Sequence, residues 1–302
     1  MQNNSRKLQD CSFVYNNHMQ IDNWDIIGTH ISIQIDTDRD CGLLFGSIRE
    51  RLQDFESRYS RFIPWNWLDD LNISRSAILD EDSSVMLSFA LETARSTDGY
   101  FDPTIAGRLS SLGYGRVEHS GHQTGWQYIE KNENLVILKS DVILEFGWVG
   151  KGYLLDIIRV MIHSSYLWGA LPRYMVDFGG DMYARGGWEI GLENPHNLEE
   201  VIGTMTLDDG FFACSSWAKR KWDRHHHLID PKTGESSTEV IATYIEARSG
   251  MVADSYATAL AVMPFLQAAE FLYHSDILEW VILASDGRCF QSEGSRVELF
   301  RE

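Results

Sequence analysis

The sequence has little cysteine and little that would direct the chain to a membrane or out of the cell. Its four cysteines, Cys11, Cys41, Cys214 and Cys289, lie far apart and include no Cys-x-x-Cys pair. That pattern offers neither a zinc site nor the disulfide framework of a small secreted protein. No apolar run approaches the length of a membrane span, and residues 1–22 are polar, without the apolar stretch of a signal peptide. These absences predict a soluble, cytoplasmic protein with no membrane span.

Positive charge is also scarce. The chain carries 26 Lys and Arg residues against 44 Asp and Glu residues, a formal net charge of −18. A protein that binds nucleic acid needs a basic surface to displace counterions from the phosphates, so the balance argues against a nucleic-acid partner. It leaves room for a small anionic ligand, because a bound metal ion can hold such a ligand despite an acidic surface.

The hydrophobic pattern predicts an α+β fold with mixed, mainly antiparallel sheets and packed helices. Ile31, Ile33 and Ile35 alternate with polar residues, as in a half-buried strand. Helices are predicted at 44–59, 82–97, 151–163, around Asp254 and at 265–273. Strands are predicted at 128–130, 135–138, into Phe146, and at 174–178, 188–192, 201–207, 211–214, 241–247, 280–284 and 288–290. Because strands come in groups with helices between the groups, an α+β fold fits better than a doubly wound parallel sheet. The sequence has no internal repeat, low-complexity tract or clear Pro/Gly-rich linker, so we expect one domain at 23–302, in one or two lobes, after a polar segment at 1–22.

The segment 251–260 places an acid and a hydroxyl four residues apart in an apolar run. On a helix this spacing puts Asp254 and Thr258 on one face, one turn apart. A carboxylate among Ala, Leu, Val and Met needs a charged partner, and Mg²⁺ prefers such oxygen ligands. The alternative is that Asp254 only caps the start of the helix.

Glycines mark a predicted turn between a strand and a helix at 145–152. Gly147, Gly150 and Gly152 would let a ligand approach the backbone closely, and the start of the helix offers free N–H groups to an anion. The segment is not a Walker A loop, because its spacing differs and no Ser or Thr follows Lys151. A tight turn without a ligand explains it equally well.

A second pair of glycines, Gly179 and Gly180, follows the strand predicted at 174–178. Paired glycines at the end of a strand indicate a bulge or a close backbone approach. The next residue, Asp181, is either a site residue or an ordinary turn residue, and the local sequence alone favours the turn.

Three consecutive histidines precede an Asp-Pro-Lys-Thr-Gly turn at 230–234. Neighbouring residues of an extended chain point to opposite faces, so the three imidazoles cannot converge on one metal ion. One inward histidine with Asp230 three residues later could form a proton-handling pair, since the pKa of histidine lies near neutrality.

Short segments spread over most of the chain carry a resemblance to a known family. They are 28–33, 60–62, 71–72, 99–104, 113–115, 147–156, 179–181, 188–192, 213–216, 226–234 and 253–258. Taken in this order they resemble the ApbE family of FAD:protein FMN transferases. The resemblance implies a fold of mixed sheets and helices, related to the T-fold, that encloses FAD.

The resemblance also implies a reaction. With Mg²⁺ as cofactor, the FMN moiety of the substrate FAD passes to a threonine or serine hydroxyl of an acceptor flavoprotein, and AMP is released. The reaction is an attack on a pyrophosphate, in which positioning and charge neutralisation carry most of the catalysis.

Position by position, the resemblance assigns metal and catalytic roles. Asp254 and Thr258 are matched to side-chain ligands of Mg²⁺, and the backbone carbonyl of Gly150 to a third protein ligand. His227 is matched to the histidine beside the reacting phosphate, which would accept the proton of the target hydroxyl. Asp230 would orient it from the turn.

The resemblance assigns a further group of residues to FAD. These are Asp102, Thr104, Trp148, Lys151, Gly179, Gly180, Asp181 and Ser215. Asp181 would read a polar group of the adenine or ribose, and Ser215 would bond the flavin region. Lys151 is either a phosphate contact or a surface helix residue, and Phe101, beside Asp102, either touches the flavin ring or packs in the core.

The chain departs from the family pattern in the turn at 145–152, which usually reads Asp-x-Gly-Gly-Ile-Ala-Lys-Gly. Glu145 replaces the acid, Trp148 the second glycine and Gly150 the alanine. Trp148 places a large ring where backbone usually approaches closely, and it would either stack on the flavin or fill part of the pocket. Ser216 replaces a usual glycine, and Leu112 a usual aromatic residue.

Two other functions share the same site. If water replaces the protein hydroxyl, the enzyme becomes an Mg²⁺-dependent FAD pyrophosphatase that yields FMN and AMP. If catalysis has been lost, the chain is an FAD-binding protein. The sequence does not separate the transferase from the pyrophosphatase, because the acceptor enters from outside.

Overall fold

A computed structural model describes residues 6–7, 18–116, 118, 122–166, 169–275 and 277–300. Cys11 lies outside the described residues. The helices are α1 (Gly42–Tyr59), α2 (Trp67–Ser74), α3 (Glu81–Ser96), α4 (Ala106–Ser111), α5 (Gly150–Ser165), α6 (Gly250–Val262) and α7 (Phe265–Tyr273). The strands are β1 (Arg6–Lys7), β2 (Met19–Ile26), β3 (Thr29–Asp36), β4 (Ser76–Ile78), β5 (Ile129–Asn132), β6 (Leu135–Leu138), β7 (Arg173–Asp177), β8 (Met182–Arg185), β9 (Trp188–Asn194), β10 (Asn197–Leu207), β11 (Gly210–Ser216), β12 (Lys221–Trp222), β13 (His225–His226), β14 (Val240–Ala247), β15 (Glu279–Ala284), β16 (Cys289–Gln291) and β17 (Glu298–Leu299). Within the described ranges, no helix is both long and apolar enough to cross a membrane.

An eight-stranded sheet organises the chain. Its strand order is β16-β15-β14-β11-β8-β7-β3-β2, and each neighbouring pair is antiparallel. The long connection between the neighbours β3 and β7 carries α1 to α5. The predicted α+β class with mainly antiparallel sheets is therefore confirmed.

Alternating side chains of the central sheet enter two hydrophobic cores. In β3, Ile31, Ile33 and Ile35 are fully buried in the larger core, which also holds residues of α1, α3, α5 and α6. In β14, Ile245 belongs to this core, whereas Tyr244 belongs to a smaller core shared with β9 and β10. This alternation follows from the two-residue period of a strand, and it places helices on one face and the β9–β10 pair on the other.

Helices α5 and α6 cross with glycine at the point of contact. A Cβ atom added to Gly152 would lie 2.2 Å from the carbonyl oxygen of Gly250, and one added to Gly250 would lie 2.3 Å from the oxygen of Gly152. The carboxylate of Asp156, in α5, accepts hydrogen bonds from the backbone N–H groups of Gly250 and Met251 at 3.0 and 3.1 Å. Since these are the first N–H groups of α6, Asp156 caps that helix.

Some predicted boundaries differ from the structure. The strand predicted into Phe146 is wrong: Ile143 forms an isolated bridge with Ile105, and a turn at 147–149 leads directly into α5. The predicted boundary between residues 22 and 23 falls inside β2, an edge strand that begins at Met19. Because one face of this strand is exposed, its polar residues concealed the strand pattern.

The glycine contact between α5 and α6 gives a direct test of the packing. We expect Gly152→Ala to lower the free energy of unfolding by about 3 kcal/mol, since the added methyl group meets backbone rather than a flexible side chain. Gly46→Ala is the matched control, because Gly46 lies within α1 and its added Cβ meets nothing within 4 Å. That change should stabilise the protein by roughly 0.5–1 kcal/mol. Urea denaturation measures both values, and equal effects would contradict the packing account.

Candidate active site

A cavity of about 430 Å³ opens where the starts of α5 and α6 meet the ends of the central strands. Nine of the thirteen site residues predicted from the sequence line it. They are Trp148, Gly150, Lys151, Gly179, Asp181, Ser215, His227, Asp254 and Thr258. Residues that are far apart in the sequence therefore meet at one place, as the sequence analysis predicted.

Asp254 and Thr258 lie one turn apart in α6, as their spacing predicts. An oxygen of the Asp254 carboxylate accepts the backbone N–H of Gly152 at 3.0 Å, and the Thr258 hydroxyl donates to the Asp254 carbonyl at 3.1 Å. The hydroxyls of Ser215 and Thr258 are 3.2 Å apart. Because Asp156 caps α6, the alternative in which Asp254 is only a cap is wrong.

Lys151 joins two buried carboxylates. Its ammonium donates to Asp181 and, at 3.1 Å, to the second oxygen of Asp254. Burial by itself would lower the pKa of Lys151, but attraction by Asp181 and Asp254 outweighs it and raises the pKa. Burial raises the pKa of Asp254, and Lys151 opposes that effect. Lys151 is therefore a cavity residue rather than a surface helix residue, and the three side chains keep one surplus negative charge when all are ionised.

Trp148 occupies the wall of the cavity next to this group. The residue is 7% exposed, and its ring meets the edge of Phe101 at 5.7 Å between centroids. Phe101 does not line the cavity, so its role is core packing behind the indole. Gly150 also faces a ring, since a Cβ there would lie 3.1 Å from Phe55.

The paired glycines after β7 have different positions. Both have a positive φ, and a Cβ on Gly179 would lie 2.3 Å from the Thr29 hydroxyl, so glycine is required at this point of the cavity wall. Gly180 does not line the cavity. Its N–H donates to Asp177 at 2.8 Å, which holds the turn that presents Asp181.

Asp102 and Thr104, both predicted to bind FAD, lie outside the cavity lining. The buried carboxylate of Asp102 accepts hydrogen bonds from the N–H and hydroxyl of Thr104 and from the N–H of Trp126. The Thr104 hydroxyl in turn accepts the N–H of Gly125 at 2.7 Å. These contacts join two loops.

His227 is the one histidine of the triplet that lines the cavity. Its Nδ1–H donates to the carbonyl oxygen of Lys219 at 3.2 Å, which leaves Nε2 with the lone pair. Burial first, and then the positive charge of Arg220, lower the pKa of His227 to about 3. The neighbouring His226 donates from Nε2 to the carbonyl of Ser237 at 2.9 Å. The imidazole of His227 is therefore neutral at neutral pH.

Asp230 does not orient His227. Its carboxylate accepts hydrogen bonds from the N–H of Lys232 at 2.9 Å and from the hydroxyl of Thr233 at 3.2 Å, all inside its own turn. The backbone carbonyl of Lys219 takes the orienting role that the sequence analysis gave to Asp230. A hydrogen bond to a backbone carbonyl leaves no pattern of side chains in the sequence, so the contact between His227 and the Lys219 carbonyl could not be predicted from it.

Five charged residues of the cavity were not assigned a site role from the sequence. One of them, Glu56, accepts the backbone N–H of Ile27 at 2.8 Å. Arg61 and Glu145 form a buried ion pair with a 3.2 Å Nε–Oε2 distance. Lys219 and Arg220 also line the cavity, and the Lys219 ammonium donates to the carbonyl of Gly179 at 3.3 Å. The signal that could have found the first pair is the position of Arg61 in a segment that resembles the family and of Glu145 where the family pattern has an acid.

The family model described as the ApbE family matches residues 27–282. The FAD:protein FMN transferase of Treponema pallidum (strain Nichols) is 23% identical over 259 residues, which cover 73% of this chain and 70% of that protein. The enzyme of the same name from Klebsiella pneumoniae (strain 342) is 29% identical over 96 residues, covering 30% of this chain and 29% of the relative.

Solved structures show the same fold. The ApbE protein from Thermotoga maritima superposes with a TM-score of 0.82 at 22% identity, covering 91% of this chain and 97% of that one. The flavin transferase ApbE from Vibrio cholerae gives a TM-score of 0.80 at 19% identity, with the same coverages. Since the family model spans most of the chain and the fold agrees, this chain belongs to the ApbE family.

Proposed function

We propose that this chain is an FAD:protein FMN transferase, which moves the FMN moiety of FAD to a threonine or serine hydroxyl of an acceptor flavoprotein and releases AMP. The observation that carries the proposal is the convergence of nine residues matched to the family site on one cavity. The names of the two curated relatives support the same activity.

The cavity has a chemical character that suits FAD. Lys151, Lys219 and Arg220 line it and can bind the oxygens of a pyrophosphate, and the first N–H groups of α5 lie beside Lys151. Trp148 and Tyr114 supply aromatic surface that suits the flavin ring. The site therefore offers positive charge to one part of FAD and apolar surface to another.

The residues present also fit Mg²⁺. In the described part of the chain, no three His, Cys, Asp or Glu side chains form a metal cluster. The buried group of Lys151, Asp181 and Asp254 nevertheless has a surplus negative charge that a cation would neutralise. The carboxylate of Asp254, the hydroxyl of Thr258 and the carbonyl of Gly150 would hold the ion, and these are oxygen ligands that Mg²⁺ prefers. Bound there, Mg²⁺ would supply positive charge to the pyrophosphate during its cleavage.

The protein's own residues account for the proton transfer. The acceptor hydroxyl oxygen forms a new bond to the phosphorus of the FMN moiety, and the bond from that phosphorus to the AMP oxygen breaks. Nε2 of His227 takes the hydroxyl proton, while the Lys219 carbonyl holds Nδ1–H. Lys151 positions the carboxylates of Asp181 and Asp254 through its ammonium.

Removing the charge of Asp254 should stop turnover. We expect Asp254→Asn, which keeps the size of the side chain, to slow Mg²⁺-dependent AMP release from FAD on the order of 100-fold. The measurement quantifies AMP, free FMN and protein-bound flavin, with and without a threonine-bearing flavoprotein. AMP in step with covalent flavin supports the transferase, whereas AMP with free FMN supports the pyrophosphatase. If the variant releases AMP from FAD at the wild-type rate, Asp254 has no role in the reaction.

Substitutions of His227 and of Asp230 should have sharply different effects on the rate of flavin transfer. His227→Ala should lower flavin transfer by roughly 100- to 10,000-fold through loss of the base, while FAD still binds. Asp230→Ala should keep the rate within about threefold, because its carboxylate contacts only its own turn. Transfer rates and FAD affinities of both variants provide the test. Equal losses of transfer would restore Asp230 as a catalytic partner.

The lowered pKa of His227 should make stability depend on pH. Between about pH 6.5 and pH 3 the unfolded chain holds a proton on this imidazole and the folded chain does not, so acidification favours unfolding. This contribution is at most about 1.4 kcal/mol per pH unit. In His227→Gln it should vanish, so that the free energy of unfolding falls less steeply with acidification than in wild type. Urea denaturation from pH 7 to pH 4 makes the comparison, and identical slopes would contradict the buried neutral imidazole.

A further inference from the structure

A basic ribbon stands out against the acidic chain. Residues 217–227 include four Lys or Arg residues and one Asp residue, a net charge of +3, although the whole chain has a net charge of −18. The segment contains the antiparallel pair β12–β13, in which Trp222 faces His225. We call residues 217–227 the basic ribbon.

The charges of the ribbon are exposed. Arg220, Lys221 and Arg224 are all exposed, and among the described side chains none of the three has a carboxylate within 4.0 Å. Lys219, by contrast, is paired with Glu193 at 2.7 Å. In a chain with a large excess of Asp and Glu, neighbouring cations with no described carboxylate within 4.0 Å present a surface that attracts an anionic ligand from solution.

The ribbon is fixed at the rim of the cavity. The indole N–H of Trp222 donates to the carbonyl of Leu112 at 2.6 Å, and its ring stacks on Tyr114 with centroids 5.0 Å apart and an interplanar angle of 18°. Tyr114 itself lines the cavity. At the other end of the ribbon His227 enters the cavity wall, held by the carbonyl of Lys219. A polypeptide bound on the ribbon would therefore lie next to the proposed base.

We propose that the basic ribbon binds an acidic segment of the acceptor protein and brings its hydroxyl to His227. This inference rests on the proposed function, whose acceptor it describes. Lys221 and Arg224 do not line the cavity, so their charges are available to a ligand outside it rather than to FAD. The strong negative charge of the remaining chain disfavours a nucleic acid at this place. The same charge repels an acidic peptide, so a preference of the protein for an acidic peptide would have to come from the ribbon.

The test uses three synthetic peptides with the same central threonine, flanked by four Asp, four Asn or four Lys residues and carrying the same neutral dye. Fluorescence anisotropy measures their binding to the FAD-loaded, full-length protein, and flavin transfer to each is measured separately. The test variant is Lys221→Glu with Arg224→Glu. Its matched control is Arg248→Glu with Arg288→Glu, which makes the same charge change at two exposed positions outside the cavity lining.

We expect the wild-type protein and the control to bind the Asp peptide about tenfold more tightly than the Lys peptide at low salt, and to lose this preference as salt is added. The ribbon variant should lose or reverse the preference while its FAD affinity stays unchanged. Equal binding of the three peptides by the wild-type protein, or an unchanged preference in the ribbon variant, would overturn the inference. Preference for the Asp peptide with AMP and free FMN but no covalent flavin would instead overturn the proposed transfer, so the two failures are distinguishable.

Discussion

The site depends on one buried ion group, in which the ammonium of Lys151 holds the carboxylates of Asp181 and Asp254. Each residue comes from a different element: the first turn of α5, the turn after β7, and α6. A buried carboxylate without its partner would be strongly unfavourable, so the three elements must assemble together. The glycine contact at Gly152 and Gly250 makes this assembly possible, because it lets the two helices approach until the Gly152 N–H reaches Asp254.

Periodicity and spacing predicted the parts of this arrangement that are local. The alternation of Ile31, Ile33 and Ile35 identified β3, and the four-residue spacing of Asp254 and Thr258 placed both on one face of α6. Their meeting with Lys151 depends on contacts more than 100 residues apart in sequence. In the sequence, only the resemblance to a family indicated that these residues lie at one site.

The misplaced residues have physical explanations. Asp102 sits in a segment that resembles the family, but a carboxylate can serve a loop junction as well as a ligand, and here Trp126 and Thr104 supply its donors. Asp230 follows His227 closely in sequence, yet the turn directs its carboxylate to Lys232 and Thr233. In both cases the sequence identifies a polar residue near the site without identifying the direction of its side chain.

The anchoring of Trp222 on Leu112 and Tyr114 has an evolutionary consequence. The exposed cations Lys221 and Arg224 lie on a ribbon whose attachment through Trp222 does not use them, while Asp181 and Asp254 are buried in the cavity. In the proposals made above, Lys221 and Arg224 would serve partner recognition, and a different set of side chains would serve catalysis. After gene duplication, copies could acquire new partners through a few surface changes in the ribbon, without passing through an inactive or unfolded ancestor.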